Sequence, residues 1–364
     1  MSTLKVSSVQ HASAASPAIT LDASGQATLN GLAFPTSGSL SGRNRIINGD
    51  MRIDQRNAGA AVTVNTPSFS NSIDRWYNYG QSDGIFTVQR STTAPTGFTN
   101  SALITVTTAD ASIGASQVWG FGQRIEGLNV SDLAWGTVNA QTITLSFTVR
   151  SSVTGTFSVT IFNGSFGRGY TATFVINSAN TFETKTITIP GDTSGTWNTD
   201  NTTGLAIWFG LGSGSSLIGT AGVWNSGTTY SATGQVNLIS TLNATFYITG
   251  VQLEAGTVAT PFERRSYGAE LSLCQRYYEA CSFQGGSFAN SSSYFTVTVP
   301  FKVTKRATPT ITNGAWTILT ASQNTTAATV LVSANTDIGV FSPQVVGSLI
   351  AGSTAGSFTA SSEL

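Results

Sequence analysis

Asp192 and Asp200 flank Trp197 in the run GDTSGTWNTDN. Two carboxylates beside an aromatic ring are what a glycosidase needs for its acid and its base or nucleophile. The other reading is a polar turn around a packed tryptophan, because an aspartate in a Gly/Thr-rich loop usually serves as a turn acceptor. In NSIDRWYNYG, Asp74, Arg75 and Trp76 present the same choice, a sugar platform with a polar clamp or a structural ion pair with an anchoring ring. Where charge is this scarce, the structural choice is preferred in both runs. The single histidine, His11, stands in a thin N-terminal segment where no pocket is expected, so no Ser-His-Asp or Cys-His arrangement can be assembled. No Cys/His cluster has zinc spacing, and neither a P-loop nor a dinucleotide fingerprint is present. The expectation is a protein that is not an enzyme, with no catalytic residue, no metal and no cofactor.

The remaining chemistry is aromatic. In GLAIWFGLG, Trp208 is out of phase with Leu205, Ile207, Phe209 and Leu211, which predicts that it points away from the face those residues bury. An outward tryptophan on a sheet marks a ligand surface, a subunit contact or a patch covered by a loop. Trp224 and Tyr230 lie in the Gly-rich run GVWNSGTTYSATG. With Trp197 and Trp208 they make up the candidate glycan-binding residues. A second pattern is helical: Leu271, Cys274, Tyr278 and Cys281 are spaced 3, 4 and 3 apart in SYGAELSLCQRYYEAC, with Ser266 as the N-cap. Fewer than two heptads cannot hold a coiled coil alone, so such a helix is expected to pack between β-domains or against two symmetry mates, in the second case as a trimer contact. The two cysteines would lie about 10 Å apart along such a helix, too far for a disulfide, and read as packing residues.

The elements that must position these residues are strands. The chain has 364 residues, 38 of them glycine, with 9% charged residues and zero net charge. That composition calls for many short strands joined by turns, and offers no basic stripe to neutralise phosphates, so nucleic acid is excluded as a partner. No run reaches the roughly 18 apolar residues of a membrane span, and the first residues lack a secretory core, so synthesis in a cytoplasm is expected. QTITLSFTVRSS puts Ile143, Leu145, Phe147 and Val149 on one face and threonines and serine on the other. TFSVTIF repeats the alternation with Phe157, Val159 and Ile161. Period-2 patterns with one polar face predict antiparallel sheets in an all-β fold, a two-sheet jelly-roll sandwich. Phe246 and Ile248 are out of phase with Val251 and Leu253, so a β-bulge is expected at Gly250, with Pro261 ending the strand. ITLDASGQATLNG predicts an N-terminal hairpin too poor in apolar surface to fold alone, either mobile or intertwined with copies of itself. YFTVTVPFKV, alternating from Phe295 to Val303, opens a small C-terminal β-domain.

Several runs also carry a resemblance. NRIINGDMRIDQR, IDRW, QRIEGL, TLSFTVRSS, GTW and above all ITGVQLEAGTVATPFERRSYGAELSLCQRYYE resemble a domain recurrent in bacteriophage and prophage tail-fibre-like proteins. The match covers roughly residues 43–282, FKVTKRATPT extends it, and residues 1–32 are similar to N-terminal segments of fibre-like proteins from phages of aquatic bacteria. That domain is similar to jelly-roll carbohydrate-binding modules, whose first strand often carries a turn like Asn48-Gly49-Asp50. The resemblance implies a homotrimeric virion structural protein, a tail fibre or fibre-like appendage. An arm of residues 1–43 would bind other tail or capsid proteins and trimerise. A sandwich (44–264), a linking helix (265–282) and a C-terminal β-domain (283–364) would follow, the distal parts contacting host surface polysaccharide. Some carbohydrate-binding relatives hold a structural calcium with carboxylates of the first and last strands. Asp50 and Glu254 stand in comparable places, and no metal is assigned to them. A polysaccharide-degrading tailspike and a capsid-decorating or tail-adaptor protein with no receptor role remain the alternatives.

Overall fold

A computed structural model describes residues 6–10, 12–21, 23, 27–29, 32–33, 42–287, 297–320, 324–326, 330–343 and 352–364. His11, Phe295 and the Asp22–Gly25 turn of the N-terminal hairpin lie wholly or partly outside them. The chain divides into two units, Met1–Arg52 with Gly59–Arg265, and Ile53–Ala58 with Ser266–Leu364.

The first unit opens with a four-stranded meander of β1 (Ser8–Val9), β2 (Ile19–Leu21), β3 (Ala27–Leu29) and β4 (Leu32–Ala33). The hairpin expected from ITLDASGQATLNG is the β2–β3 pair. The unit continues with β5 (Val62–Val64), β6 (Ser70–Ile73), β7 (Trp76–Tyr79), β8 (Ile85–Ser91), β9 (Ser101–Thr108), β10 (Val118–Glu126), β11 (Ile143–Ser151), β12 (Gly155–Asn163) and β13 (Arg168–Ile176). It closes with β14 (Glu183–Ile189), β15 (Thr203–Ser213), β16 (Ile218–Gly219), β17 (Trp224–Ser226), β18 (Ser231–Ala232) and β19 (Thr245–Ala255). Two large sheets result, a seven-stranded one in the order β17-β13-β12-β15-β10-β7-β6 and a six-stranded one in the order β14-β11-β19-β9-β8-β5, while β16 and β18 form a separate parallel pair. Non-consecutive neighbours such as β11–β19 and β15–β10 pair antiparallel, as in a sandwich wound from both ends of the chain.

The alternating runs place the core as predicted. Ile143, Leu145, Phe147 and Val149 of β11, Phe157, Val159 and Ile161 of β12, and Leu205, Ile207, Phe209 and Leu211 of β15 are all buried in one cluster between the sheets. The bulge is also where the phase slip puts it. Thr148 pairs with Thr249 and Ser146 with Gln252, so two residues on β19 oppose Phe147 alone. Gly250 takes φ +62, which a side chain resists, and the ring of Phe98 fills the space a Cβ would need. The slip lets Phe246, Ile248, Val251 and Leu253 all reach the core.

The crowded charges of residues 254–265 bind the last strand to the first segment of the sandwich. Arg43 donates to the Thr260 hydroxyl and the Pro261 carbonyl, both at 2.7 Å. The Glu263 carboxylate accepts from the Asn44 N–H at 2.8 Å, and Arg265 donates to the Ile46 carbonyl at 3.0 Å. Glu254, buried, accepts from the Thr260 N–H (2.9 Å) and hydroxyl (2.6 Å), with Arg43 at 3.7 Å. Asp50 is matched separately to Arg52. Each carboxylate has its own arginine, so the two do not fit a shared calcium, and the described residues contain no group of three His, Cys, Asp or Glu able to hold a metal.

The second unit holds α1 (Tyr267–Gln275), β20 (Tyr278–Ser287), β21 (Val297–Pro300), β22 (Thr310–Thr320), β23 (Asn324–Thr326), β24 (Val330–Ala334), β25 (Ile338–Pro343) and β26 (Gly352–Ser361). Its two sheets run β20-β26-β22-β23 and β21-β25-β24. Ser266 caps α1 by accepting from the Ala269 N–H, as its sequence position implies. The helical stripe fails beyond Gln275. Tyr278 pairs with Ser361 and Cys281 with Phe358 on β26, because aromatic residues at a helix end are equally suited to a sheet edge. Leu271 and Cys274 are therefore helical, while Tyr278 and Cys281 are in a strand, and no single face carries all four. Cys274 is fully buried, and Tyr278 lies under the Arg56 guanidinium, 3.7 Å from its ring centre. Burial, and the hydrogen bond its thiol donates to Glu279, push Cys281 up to about 12, which leaves it inert. Glu279 and Lys305, both fully buried, pair at 2.6 Å.

Candidate functional site

Three tryptophans meet at the seven-stranded sheet. The loop after β10, residues 127–142, carries Trp135, the loop before β15 carries Trp197, and Trp224 begins β17, where it pairs with Tyr170 of β13. Their rings are mutually edge-on, with centroids 4.6 Å apart for Trp135–Trp197, 5.3 Å for Trp135–Trp224 and 5.6 Å for Trp197–Trp224. Edge-to-face contact is the favoured arrangement of aromatic pairs. Beside them lies a pocket of about 180 Å³, lined chiefly by Val130, Leu133, Trp135, Trp197, Asn198, Thr199 and Leu205. Trp135 is 8% exposed, Trp197 partly exposed.

Backbone geometry sets the walls. Ala134, a pocket-lining residue, takes φ +52, and Gly136 takes φ +83, so a pair of left-handed residues brackets Trp135. A non-glycine residue held there is strained and has to be fixed by its surroundings. The Trp135 indole N–H donates to the Gln141 carbonyl at 2.7 Å, the Thr137 hydroxyl to the Ala134 carbonyl at 2.6 Å, and the Gly136 N–H to the Asp192 carbonyl at 2.7 Å. Trp197 is held in turn by the Asp192 carboxylate and the Ser194 carbonyl, each accepting its indole N–H at 3.2 Å.

Asp192 thus serves as a clamp. The Arg168 guanidinium binds it through two nitrogens and lies 5.9 Å from the Trp224 ring. Burial acts to raise the Asp192 carboxyl, but hydrogen bonds from Arg168, Ser194 and Trp197 hold it below the usual carboxylate range. Asp200 is held low by the Thr202 hydroxyl and N–H. Each carboxylate accepts the N–H two residues further on, Asp192 from Ser194 at 3.1 Å and Asp200 from Thr202 at 2.9 Å, as turn aspartates do. The polar-turn reading of GDTSGTWNTDN is the one the geometry matches.

Of the candidate ligand residues, Trp197 and Trp224 come together and Trp208 and Tyr230 do not join them. Trp208 does point away from the main core, but it is fully buried. Tyr77, Phe162 and Val118 surround it, and Leu217 and Tyr230 close over it. Its ring lies 5.1 Å from Tyr230 and 6.0 Å from Tyr77. Trp208 is therefore corrected from a contact residue to a packed one, and Tyr230 from a loose loop aromatic to its cover. Trp76 is an anchor: it is buried, stacks on Phe121 at 4.9 Å, and donates to the Asn48 carbonyl. Sequence reading missed Trp135. The available signal was that Trp135-Gly136 and Gly195-Thr196-Trp197 both set a tryptophan within two residues of a glycine; in the structure both glycines have positive φ, and Gly136 packs on Trp197 and the Gly195 carbonyl.

Among the described residues the fold is nearly all β, with a two-sheet sandwich in the first unit and one α-helix, α1. No family model and no curated protein matches the chain. Among solved structures it is similar to the enzymatically active domain of tailspike protein 4 of bacteriophage CBA120, at 13% identity and TM-score 0.31, over 58% of this chain and 21% of that one. The chain thus spans about a fifth of that domain's length. It is also similar to the family 11 carbohydrate-binding module of Clostridium thermocellum solved with a β-1,3-1,4-mixed-linked tetrasaccharide, at 10% identity and TM-score 0.28, over 53% of this chain and 96% of the module.

Proposed function

We propose that this chain is a structural protein of a bacteriophage particle, a homotrimeric tail fibre or fibre-like appendage that binds a host-surface glycan. The observation that carries the glycan half is the Trp135–Trp197 pocket, an aromatic-walled recess with hydroxyl and amide groups at its margin and no ionised side chain in its lining. Sugar rings present apolar faces to aromatic carbons and hydroxyls to such polar groups. The virion half is supported by the resemblance of the run from Ile248 to Glu279 to fibre-like phage proteins. The N-terminal arm fits self-association. In register, Val9, Ile19, Leu29 and Leu32 stand opposite one another across the meander, and Val9 and Ile19 are 52% and 37% exposed. So short a meander gains its stability from partners, here copies of itself and the tail or capsid proteins of the particle. Three modest sites on one appendage then gain avidity through effective concentration.

One experiment tests both halves. Particles carrying Trp197→Ala should contain the protein in normal amount and adsorb to host cells at least about tenfold more weakly. Absence of the wild-type protein from particles would sink the virion reading, and unchanged adsorption would sink the pocket.

A further inference from the structure

Resting on the glycan reading of the same pocket, we infer that its occupant is the end of a neutral glycan chain, and that the pocket selects a sugar carrying a methyl group, as an acetyl or a 6-deoxy substituent. Four observations converge on this. The volume, about 180 Å³, is that of roughly six waters and lies below the range for drug-sized ligands, so it admits a single ring rather than a run of residues.

Charge is the second. The pocket lining contains no ionised side chain, and the nearby ions are matched, Arg45 to Asp132 and Arg168 to Asp192. A uronic acid, sialic acid or sulfated sugar would enter without a counter-charge, and burying an unpaired anion is costly. The third is the apolar wall. The indole carbons of Trp197 and Trp135 and the edge of Val130 form it, with Leu133 and Leu205 backing them, and an all-hydroxyl sugar would lose hydration against that carbon surface without gaining hydrogen bonds. A methyl group suits that surface, and the apolar surroundings continue outward, with Leu128 and Val138 at 55% and 90% exposure in the same loop.

The fourth is the state of the indoles. Both N–H groups are already donated inside the protein, Trp135 to Gln141 and Trp197 to Asp192 and Ser194. The rings therefore supply carbon surface, and recognition of hydroxyls falls to Ser131, Thr137, Asn198 and Thr199. The Asn198 amide nitrogen is committed to Thr202 and Thr203, which leaves its carbonyl oxygen as an acceptor.

The test uses the full chain and four probes, the free sugars N-acetylglucosamine, rhamnose, glucose (the glucoside arm) and glucuronic acid (the glucuronide arm), each titrated against tryptophan fluorescence and by saturation-transfer NMR. The N-acetyl or the rhamnose probe should bind about tenfold more tightly than the glucoside, the lower end of what one methyl is worth in an apolar pocket. Its methyl protons should take the strongest saturation, the glucuronide should not bind, and the two methyl-bearing arms decide between acetyl and deoxy. Val130→Thr, which keeps the side-chain shape, should abolish the preference, and Val175→Thr, the same change at an exposed valine of β13 outside the lining, serves as a folded control that retains it. Equal binding of glucoside and methyl-bearing probes would overturn the methyl inference and leave glycan binding standing. Tight glucuronide binding would overturn neutrality. Failure of all four probes, with host polysaccharide still bound by the Trp197→Ala variant, would overturn the pocket reading itself.

Discussion

Trp208 and Trp197 both belong to the seven-stranded sheet and its loops, and the environments they reach are opposite. Trp208 stands mid-strand on the outer face, is fully buried beneath Leu217 and Tyr230, and its indole N–H is unpartnered among the described residues. Trp197 stands in a loop, partly exposed, with its N–H shared between Asp192 and Ser194. The sealed ring carries packing energy and an unmet hydrogen bond. The open ring has its polar edge satisfied and its carbon surface left beside a pocket. What separates a ligand-facing tryptophan from a structural one here is which groups its surroundings leave unsatisfied.

The largest effect that could break this contrast is on stability. Trp208→Ala should cost about 3–5 kcal/mol, the usual range for emptying a buried aromatic site. Trp197→Ala should cost about 1 kcal/mol, near the centre for point substitutions. Urea midpoints of the two variants measure this, and equal losses would show that Trp197 is as structural as Trp208.

The contrast also explains what could be read from sequence. Phase alone placed Ile143 to Val149, Phe157 to Ile161 and Leu205 to Leu211 in the core, and Trp208 outside it, because alternation is a local property of a strand. The Gly250 bulge was legible for the same reason. The cover over Trp208 was not, since Leu217 and Tyr230 reach it through a tertiary fold-back, joined by the Tyr230 N–H to the Leu217 carbonyl at 2.9 Å. Nor was the pocket, whose walls come from loops some sixty residues apart in sequence and meet through Gly136 packed on Trp197. The end of α1 was misread because the spacing from Leu271 to Cys281 fits a helix, while β26 supplies the competing ladder that wins from Tyr278 onward.

A second, smaller effect sharpens the open side. The Asp192 carboxyl is held below its ordinary range by Arg168, Ser194 and Trp197, so its contribution is present above about pH 4 and lost as the pH falls through the depressed value. Asp192→Asn should therefore destabilise by about 1–3 kcal/mol at pH 7, the cost of removing a buried hydrogen-bond partner. The gap to wild type should narrow on acidification, because the protonated wild type loses the same charge. Melting temperatures across that acidic range decide it. A gap that stays constant would mean that Asp192 acts by shape alone and that the clamp on Trp197 is not electrostatic.

The smallest effect separates the pocket wall from what stands behind it. Trp224 touches Trp135 and Trp197 but is not among the pocket-lining residues, and its N–H donates to the Pro190 carbonyl at 3.0 Å. Trp224→Phe keeps an aromatic ring against Tyr170 and gives up that one hydrogen bond, for about 1 kcal/mol at most. If Trp224 only supports the wall, glycan affinity should change by less than about twofold, far less than a ligand-stacking ring is worth. A loss as large as that of Trp197→Ala would place Trp224 in contact with the ligand. The recognition surface would then extend from the Trp135–Trp197 pocket toward β17, and a single-residue chain end would no longer be the occupant the geometry favours.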